Sequence, residues 1–335
     1  MELTDEIPDL QGSITVMLEQ ESTKYRCRDY LAQPPVQSAP ATGNSTSEGS
    51  SASNLSSSSR VNEMWREKIC KWKFHILDHF DINREIVSIS MSFLDRFLSI
   101  HQVNQKVFQL AAMTTLFLAI KLNKQGSLKV SSLIELSRGC FKAVHIAVME
   151  KHILRDLSWH VHPPTPHCFV RHFLCLVPFS GSIDDNHLKR ETLDLSLYSV
   201  ELSVCDYFFV ACNPSSVALA SIMNALDSIL MNSSQDKRKS FLSMKTAFIE
   251  NIENVIPQLE ISSNSQVEDC RLRLKDIFRH AAQEQQRERQ IRQQQVASRV
   301  ENTISPTCVS GATHPYTSQQ HDFTPRKRGR TTSTH

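Results

Sequence analysis

The chain has 335 residues, with 37 Lys and Arg against 35 Asp and Glu for a net charge of +2, and 40% of it is hydrophobic. Near-neutral charge excludes a molecule that holds nucleic acid by bulk electrostatics, and the length leaves room for about two domains plus tails. Only 8 glycines alongside long apolar periodic runs favour helices over a sheet built on tight turns.

The opening "MELTDEIPDL" is acidic and lacks the basic-then-apolar pattern of a secretion signal. Residues 14–31, "ITVMLEQESTKYRCRDYL", carry one helical pattern, and residues 33–60 are Ser, Pro and Ala with almost no large apolar side chain. That composition reads as a disordered linker at 34–60 behind an N-terminal helical segment at 1–33. From Val61 to about Phe278 apolar residues recur at helical spacing, interrupted by "VHPPTPH" at 161–167, whose prolines cannot continue a helix. The natural division is therefore a first half at 61–162 and a second at 163–280.

Five helices can be placed in the first half. "MWREKICKWKFHILDHF" has apolar residues at 65, 69, 72, 76 and 80, one stripe at 4-3-4-4 spacing. "REIVSISMSFLDRFLS" follows, and the third helix, 105–121, is apolar on every side and must be central. "KVSSLIELS" and "FKAVHIAVMEKHILRDL" complete the set. The apolar run within the central helix, 107–120, is about 21 Å long as a helix, too short for a bilayer. The expectation is a soluble intracellular protein. After residue 280 the sequence turns polar, "AAQEQQRERQIRQQQ", then tail-like, so 281–335 reads as a solvated helix and a basic tail.

The nine cysteines show no CxxC spacing and an odd count, which points to reduced, mostly buried thiols. Cys168, His172 and Cys175 fall at i, i+4 and i+7, a geometry that suits zinc, but no fourth ligand is near and phenylalanines share the region. Core packing is the reading there, and again at Cys205 and Cys212. No metal or cofactor is expected. With no phosphate loop, HExxH, GxSxG or kinase motif, neither is catalysis by this chain.

Four charges fall on or beside the apolar stripes. Arg66 abuts the first, Asp95 sits between Leu94 and Phe97, Lys121 ends the central helix, and Glu150 lies in the seam Ala143, Ile146/Ala147, Ile153/Leu154, Leu157. Buried charges are costly unless paired. Together they imply one internal ion pair, Arg66 with Asp95, and one exposed acid–base pair, Lys121 with Glu150.

At this point the sequence resembles a known family. Arg66, Asp95, Leu110, Lys121 and Glu150 are spaced like the five signature positions of the cyclin box, and "SFLDRFLS" is similar to the cyclin "DRFLS" helix. "MEKHILRDLSWHVHPPTP" resembles the end of a first box with its linker, and "ELSVCDYFFVACNPSSVALASI" a second box. The upstream "MLEQESTKYRCRDYL" is similar to the N-terminal helix of G1, D-type-like cyclins. The resemblance implies an all-α protein of two tandem five-helix boxes. It also implies a regulatory subunit that binds and activates a cyclin-dependent Ser/Thr kinase in cell-cycle control at G1/S, with no membrane or nucleic-acid partner.

By the same resemblance Arg66–Asp95 is structural, while Lys121 and Glu150 engage the kinase beside its C-helix within an apolar socket of Leu122, Leu154, Trp159 and Val161. A groove for Arg-x-Leu motifs on substrates or inhibitors would fall on Trp65, Ile69, Trp72 and Gln109. Two features depart from the family. The signature Lys is followed by "KLNKQG" in place of acidic residues, and His75 stands where an acidic residue would meet the motif's Arg. Trp65 is also bulkier than the family's Met, so ordinary packing is the competing reading of the groove. Other readings of the whole are a cyclin-fold transcription regulator and a non-activating adaptor.

The terminal "FTPRKRGRTTSTH" places Arg326, Lys327, Arg328 and Arg330 together, the composition of a nuclear import signal. The expected location is the nucleus with a cytoplasmic pool. Thr324, followed by Pro325 and basic residues, is a candidate phosphorylation site, and Ser305 a weaker one. "RDYL" at 28–31 has the form of a degradation signal, but four residues match too easily by chance to use.

Overall fold

A computed structural model describes residues 6–32, 61–123, 128–179, 183–259 and 264–301. The Ser-rich linker, Lys124 and the tail with Ser305, Thr324 and residues 326–330 lie outside the described residues. Residues 1–283 form one compact unit and residues 284–335 another, whose described part is helical.

Every regular element among the described residues is helical. The order is α1 (Glu6–Ser22), α2 (Glu63–His79), α3 (Glu85–Leu98), α4 (Gln105–Leu122), α5 (Val130–Leu136), α6 (Ala143–Asp156), α7 (Pro166–Leu174), α8 (Ile183–Cys205), α9 (Pro214–Asn232), α10 (Gln235–Val255) and α11 (Ser265–Glu301). Local chemistry sets several starts. Asn62, Asn104 and Thr165 each accept a backbone N–H of the first turn of α2, α4 and α7, and Pro occupies the first turn of α7 and α9.

Two apolar cores result. The first gathers α2 to α6 around α4, and the second gathers α7 to α11 around α9. α4 and α9 are apolar on nearly all faces and bury most of their length, as a central helix must. α9 is also the one described helix long and apolar enough to cross a membrane, but 67% of that stretch is buried inside the second core.

The structure corrects three expectations. The N-terminal helix starts earlier and ends at Ser22 rather than running from 14 to 31. Its backbone turns at Thr23 and Tyr25, both bonded to the Gln20 carbonyl, and residues 25–32 run on without helix. The face that α2 buries is Arg66, Cys70, Lys73, Phe74 and Leu77 together with Ile76, whereas Trp65, Ile69 and Trp72 are half-buried at its border and Phe80 is exposed. The thiols are not mostly buried: of the eight described, Cys70 and Cys270 are buried, while Cys140 and Cys175 are exposed.

Polar ties join the halves. Glu85 at the start of α3 pairs with Arg171 of α7 at 2.9 Å and accepts from Thr165 at 3.0 Å, and Arg84 meets Glu201 of α8 at 3.3 Å. α1 packs on the second core through the fully buried Ile14. Next to its last residue, Glu21 accepts from the backbone N–H and the hydroxyl of Ser215. Asn213 supplies no side-chain cap to α9, so Glu21 caps that helix from another element. Burial raises its carboxyl to about 7.

Candidate functional site

Arg66 and Asp95 meet in a bidentate, buried pair. Arg66 Nε and Nη2 donate to the two Asp95 oxygens at 2.9 and 2.8 Å, and Tyr30 adds a third donor to Asp95 at 2.9 Å. The remaining Arg66 nitrogen donates to the carbonyls of Val204 and Cys205 at the end of α8, at 2.9 and 3.4 Å. Arg66 therefore fixes α2 to α3 and also closes a helix of the second half. Asp95 and the Tyr30 hydroxyl raise the Arg66 pKa against the opposing effect of burial, which is the largest single influence on it. "RDYL" is part of this packing: Asp29 accepts from Leu31 N, Ala32 N and the Tyr207 hydroxyl, and Tyr30 reaches Asp95.

Arg96, the neighbour of Asp95, is buried without a carboxylate. It donates to the carbonyls of Leu157 and His160 at 3.5 and 3.0 Å and lies over the Tyr25 ring. A cation there suits the C-terminal end of α6 and adds a donor to the Leu157 carbonyl, which also accepts from the His160 N–H at 3.0 Å. It also pins the turn in which Ser158 and Trp159 take φ of +50° and +62°, an uncommon backbone for a bulky residue. Trp159 is held 70% exposed as a result.

Lys121 at the end of α4 and Glu150 in mid-α6 form an ion pair at 2.7 Å, with side chains 56% and 17% exposed. Glu150 is not in the buried seam expected for it. That seam is Ile146, Met149, Ile153 and Leu157, whereas Ala143 and Ala147 face solvent. Glu150 stands at its edge, so it can hold Lys121 and remain accessible. Leu122, Leu154 and Val161 are half-buried and rest on the first core. Trp159 is the exposed member of the expected socket, and Lys121–Glu150 is the ion pair on the α4 and α6 side of the same box.

The candidate groove residues Trp65, Ile69 and Trp72 are half-buried on α2, Gln109 is exposed on α4, and His75 is exposed. The Trp65 ring lies 6.1 Å from that of Phe108, between α2 and α4. Cys168, His172 and Cys175 do not converge: Cys168 faces Glu85, the His172 ring bonds the Cys168 carbonyl, and Cys175 bonds the Arg171 carbonyl.

Sequence reasoning missed two residues here. Lys73 is fully buried, with Ser90 Oγ at 2.7 Å and Thr115 Oγ1 at 3.2 Å as partners and no carboxylate. Burial lowers its pKa to about 7. Spacing 66/70/73/77 would have exposed it as a second stripe on α2. Arg96 was visible as the second half of "DR".

Comparison with known proteins decides the family. The model of the cyclin N-terminal domain matches residues 43–162, and that of the cyclin C-terminal domain matches 164–307. The chain belongs to the cyclin family. It is 28% identical over 165 residues to cyclin-B1-1 of Oryza sativa subsp. japonica, covering 49% of this chain but only 36% of that protein. To the G1/S-specific cyclin-D1 of Danio rerio it is 22% identical over 244 residues, covering 73% of this chain and 79% of that one. Among solved structures, a viral cyclin from herpesvirus saimiri superposes with a TM-score of 0.50 at 17% identity, covering 65% of this cyclin and 87% of the other. That likeness bears on the fold: two tandem helical boxes, here α2–α6 and α7–α11.

Proposed function

We propose that this cyclin is the regulatory subunit of a cyclin-dependent Ser/Thr kinase, which it binds and activates through the socket of Leu122, Leu154, Trp159 and Val161 together with Lys121–Glu150. The observation that carries the reading is that ion pair. It is accessible, is held on two packed helices, and does nothing for the core. A protein helix laid on the socket would bury Trp159 and the two leucines, and Lys121 and Glu150 would exchange part of their mutual bond for bonds to that helix. Activation by this route is allosteric: holding the kinase's Glu-bearing helix in place meets one requirement of phosphoryl transfer. The cyclin supplies no reacting group.

A G1/S role is supported by the extent of the match to cyclin-D1, which reaches 73% of this chain, against 49% for cyclin-B1-1. In the same reading Trp65, Ile69, Trp72 and Gln109 dock Arg-x-Leu segments of substrates or inhibitors as a shallow surface. Arg326, Lys327, Arg328 and Arg330 direct import to the nucleus, with a cytoplasmic pool. Phosphorylation of Thr324 by the bound kinase, with Ser305 as a second site, would add roughly −2 charge beside that basic cluster and weaken import.

The test is a pull-down of the wild-type chain and of Lys121→Ala/Glu150→Ala, scored for bound kinase and for phosphorylation of histone. Kinase and activity with wild type, both lost in the double variant, is the expected result. Equal capture by both would place the contact elsewhere. No kinase with either would overturn the reading.

A further inference from the structure

Cys70 and Cys205 come from different boxes, 135 residues apart in sequence, and their sulfurs lie 3.3 Å apart. We propose that this pair is a peroxide-reactive dithiol whose disulfide covalently joins the two boxes, a modification independent of the kinase reading.

The two sulfurs are brought together by structure that exists without the bond. Cys70 sits on the buried face of α2, one turn after Arg66, and Cys205 is the last residue of α8. Arg66 donates to the carbonyls of Val204 and Cys205 itself, so the ion pair that organises the first box also anchors Cys205 against it. A disulfide needs the sulfurs at about 2.05 Å. The approach of little more than 1 Å falls on a residue at a helix end, where side chain and backbone yield most easily.

The surroundings divide the labour. Cys205 is half-buried, and its thiol is shifted down: the hydrogen bond from Cys70 is the main cause, and the Arg66 guanidinium and Lys71 ammonium add to it against burial and the Glu67 carboxylate that pairs with Lys71. Thiolates, not thiols, attack peroxide, and neighbouring cations favour them. Cys70 is fully buried, and burial pushes its thiol up. It therefore resolves rather than attacks. The Cys205 thiolate takes one oxygen from hydrogen peroxide, giving a sulfenic acid and, with a proton, one water. The Cys70 thiol then displaces that oxygen as a second water and forms the S–S bond. Two electrons pass from the two sulfurs to the peroxide, and a dithiol reductant returns both thiols by exchange.

The other described cysteines lack this arrangement. Cys27 bonds Ser99 and stands beside Asp95, and burial is the main reason that its thiol rises to about 12. Cys212 is hydrogen-bonded to Cys270, but the charges acting on it are the carboxylates of Asp269 and Asp206, and both cysteines lie in the second box. Cys140 and Cys175 are exposed.

The experiment treats the full reduced chain with hydrogen peroxide under native conditions, blocks free thiols and maps disulfides by mass spectrometry. A Cys70–Cys205 link that dithiothreitol reverses is the expected product, with a thermal midpoint several degrees above that of the reduced chain. Cys205→Ser, whose reduced form should melt like wild type, loses both the link and the shift. Cys70→Ser leaves a sulfenic acid at Cys205 that dimedone captures. Recovery of Cys70 and Cys205 as free thiols while Cys140, Cys175 or Cys212 is oxidised would overturn the proposal.

Discussion

The two boxes share an architecture but not a way of handling polarity. The first buries Arg66, Lys73, Asp95 and Arg96, all on α2 and α3. Among the described residues of the second, no Asp, Glu, Lys or Arg is buried on α7 to α11. Its interior polar groups are His167 and hydroxyls such as Thr192, Ser196 and Ser221, which bond carbonyls one turn back in their own helices. The difference teaches what the charges are for. The helices of the second box close on apolar side chains and hydroxyls, with one buried carboxylate, Glu21, supplied from α1. In the first box Lys73 bonds only within the box, whereas Arg66 and Arg96 make ties at its margins. Arg66 reaches the end of α8, and Arg96 sets the turn that presents Trp159. Glu150 and Lys121 lie at the surface of that same box.

Breaking Arg66–Asp95 should have the largest effect. Asp95→Ala strands a buried guanidinium and should cost about 3–5 kcal/mol, read as a lower urea midpoint. Lys73 should act in the opposite direction. Lys73→Met removes a buried cation that has only uncharged partners, two hydroxyls and the Ser90 carbonyl, and a gain of about 1–4 kcal/mol is expected. The sign with pH is distinct. The folded amine titrates near 7 against an ordinary 10.5, so between those values the unfolded chain holds more protons. Stability from this group therefore rises with pH across that window, by up to about 1.4 kcal/mol per unit. Denaturation of wild type and Lys73→Met between pH 7 and 10 should show that slope only in wild type.

Arg96→Ala should cost about 1–3 kcal/mol by leaving the His160 carbonyl without its donor and the turn without its cation. It should also weaken kinase capture, since it frees the turn bearing Trp159; an unchanged capture would separate that turn from the contact. The smallest effect belongs to the second box. Ser196→Ala removes a hydroxyl whose acceptor is already in a helix, and the midpoint should move by no more than about 1 kcal/mol. A loss as large as that of Asp95→Ala would erase the contrast between the boxes.

How far the sequence could be read follows from the same contrast. Periodicity located α2 to α6 to within two residues at either end, because apolar stripes mark α2, α3, α5 and α6 and a continuous apolar run marks α4. The 29-residue spacing of Arg66 to Asp95 and of Lys121 to Glu150 matched two pairs that the structure brings together. Where a helix has charges on its buried face, periodicity misleads. On α2 the apolar residues 65, 69 and 72 mark the border of the core, while Arg66 and Lys73 occupy its interior. The contacts made by Tyr30, Asp29 and Cys205 were not legible, since each partner is between 65 and 178 residues away in the chain and no local pattern encodes it.

The central claim is that the first box holds one ion pair for folding and one for a partner. It is tested most directly by measuring the affinity of Lys121→Ala/Glu150→Ala for the captured kinase, after its urea midpoint has been compared with that of wild type. The account predicts a midpoint within about 0.5 kcal/mol of wild type, as for an exposed pair, together with a loss of affinity of at least about tenfold. Wild-type affinity in the double variant would contradict it.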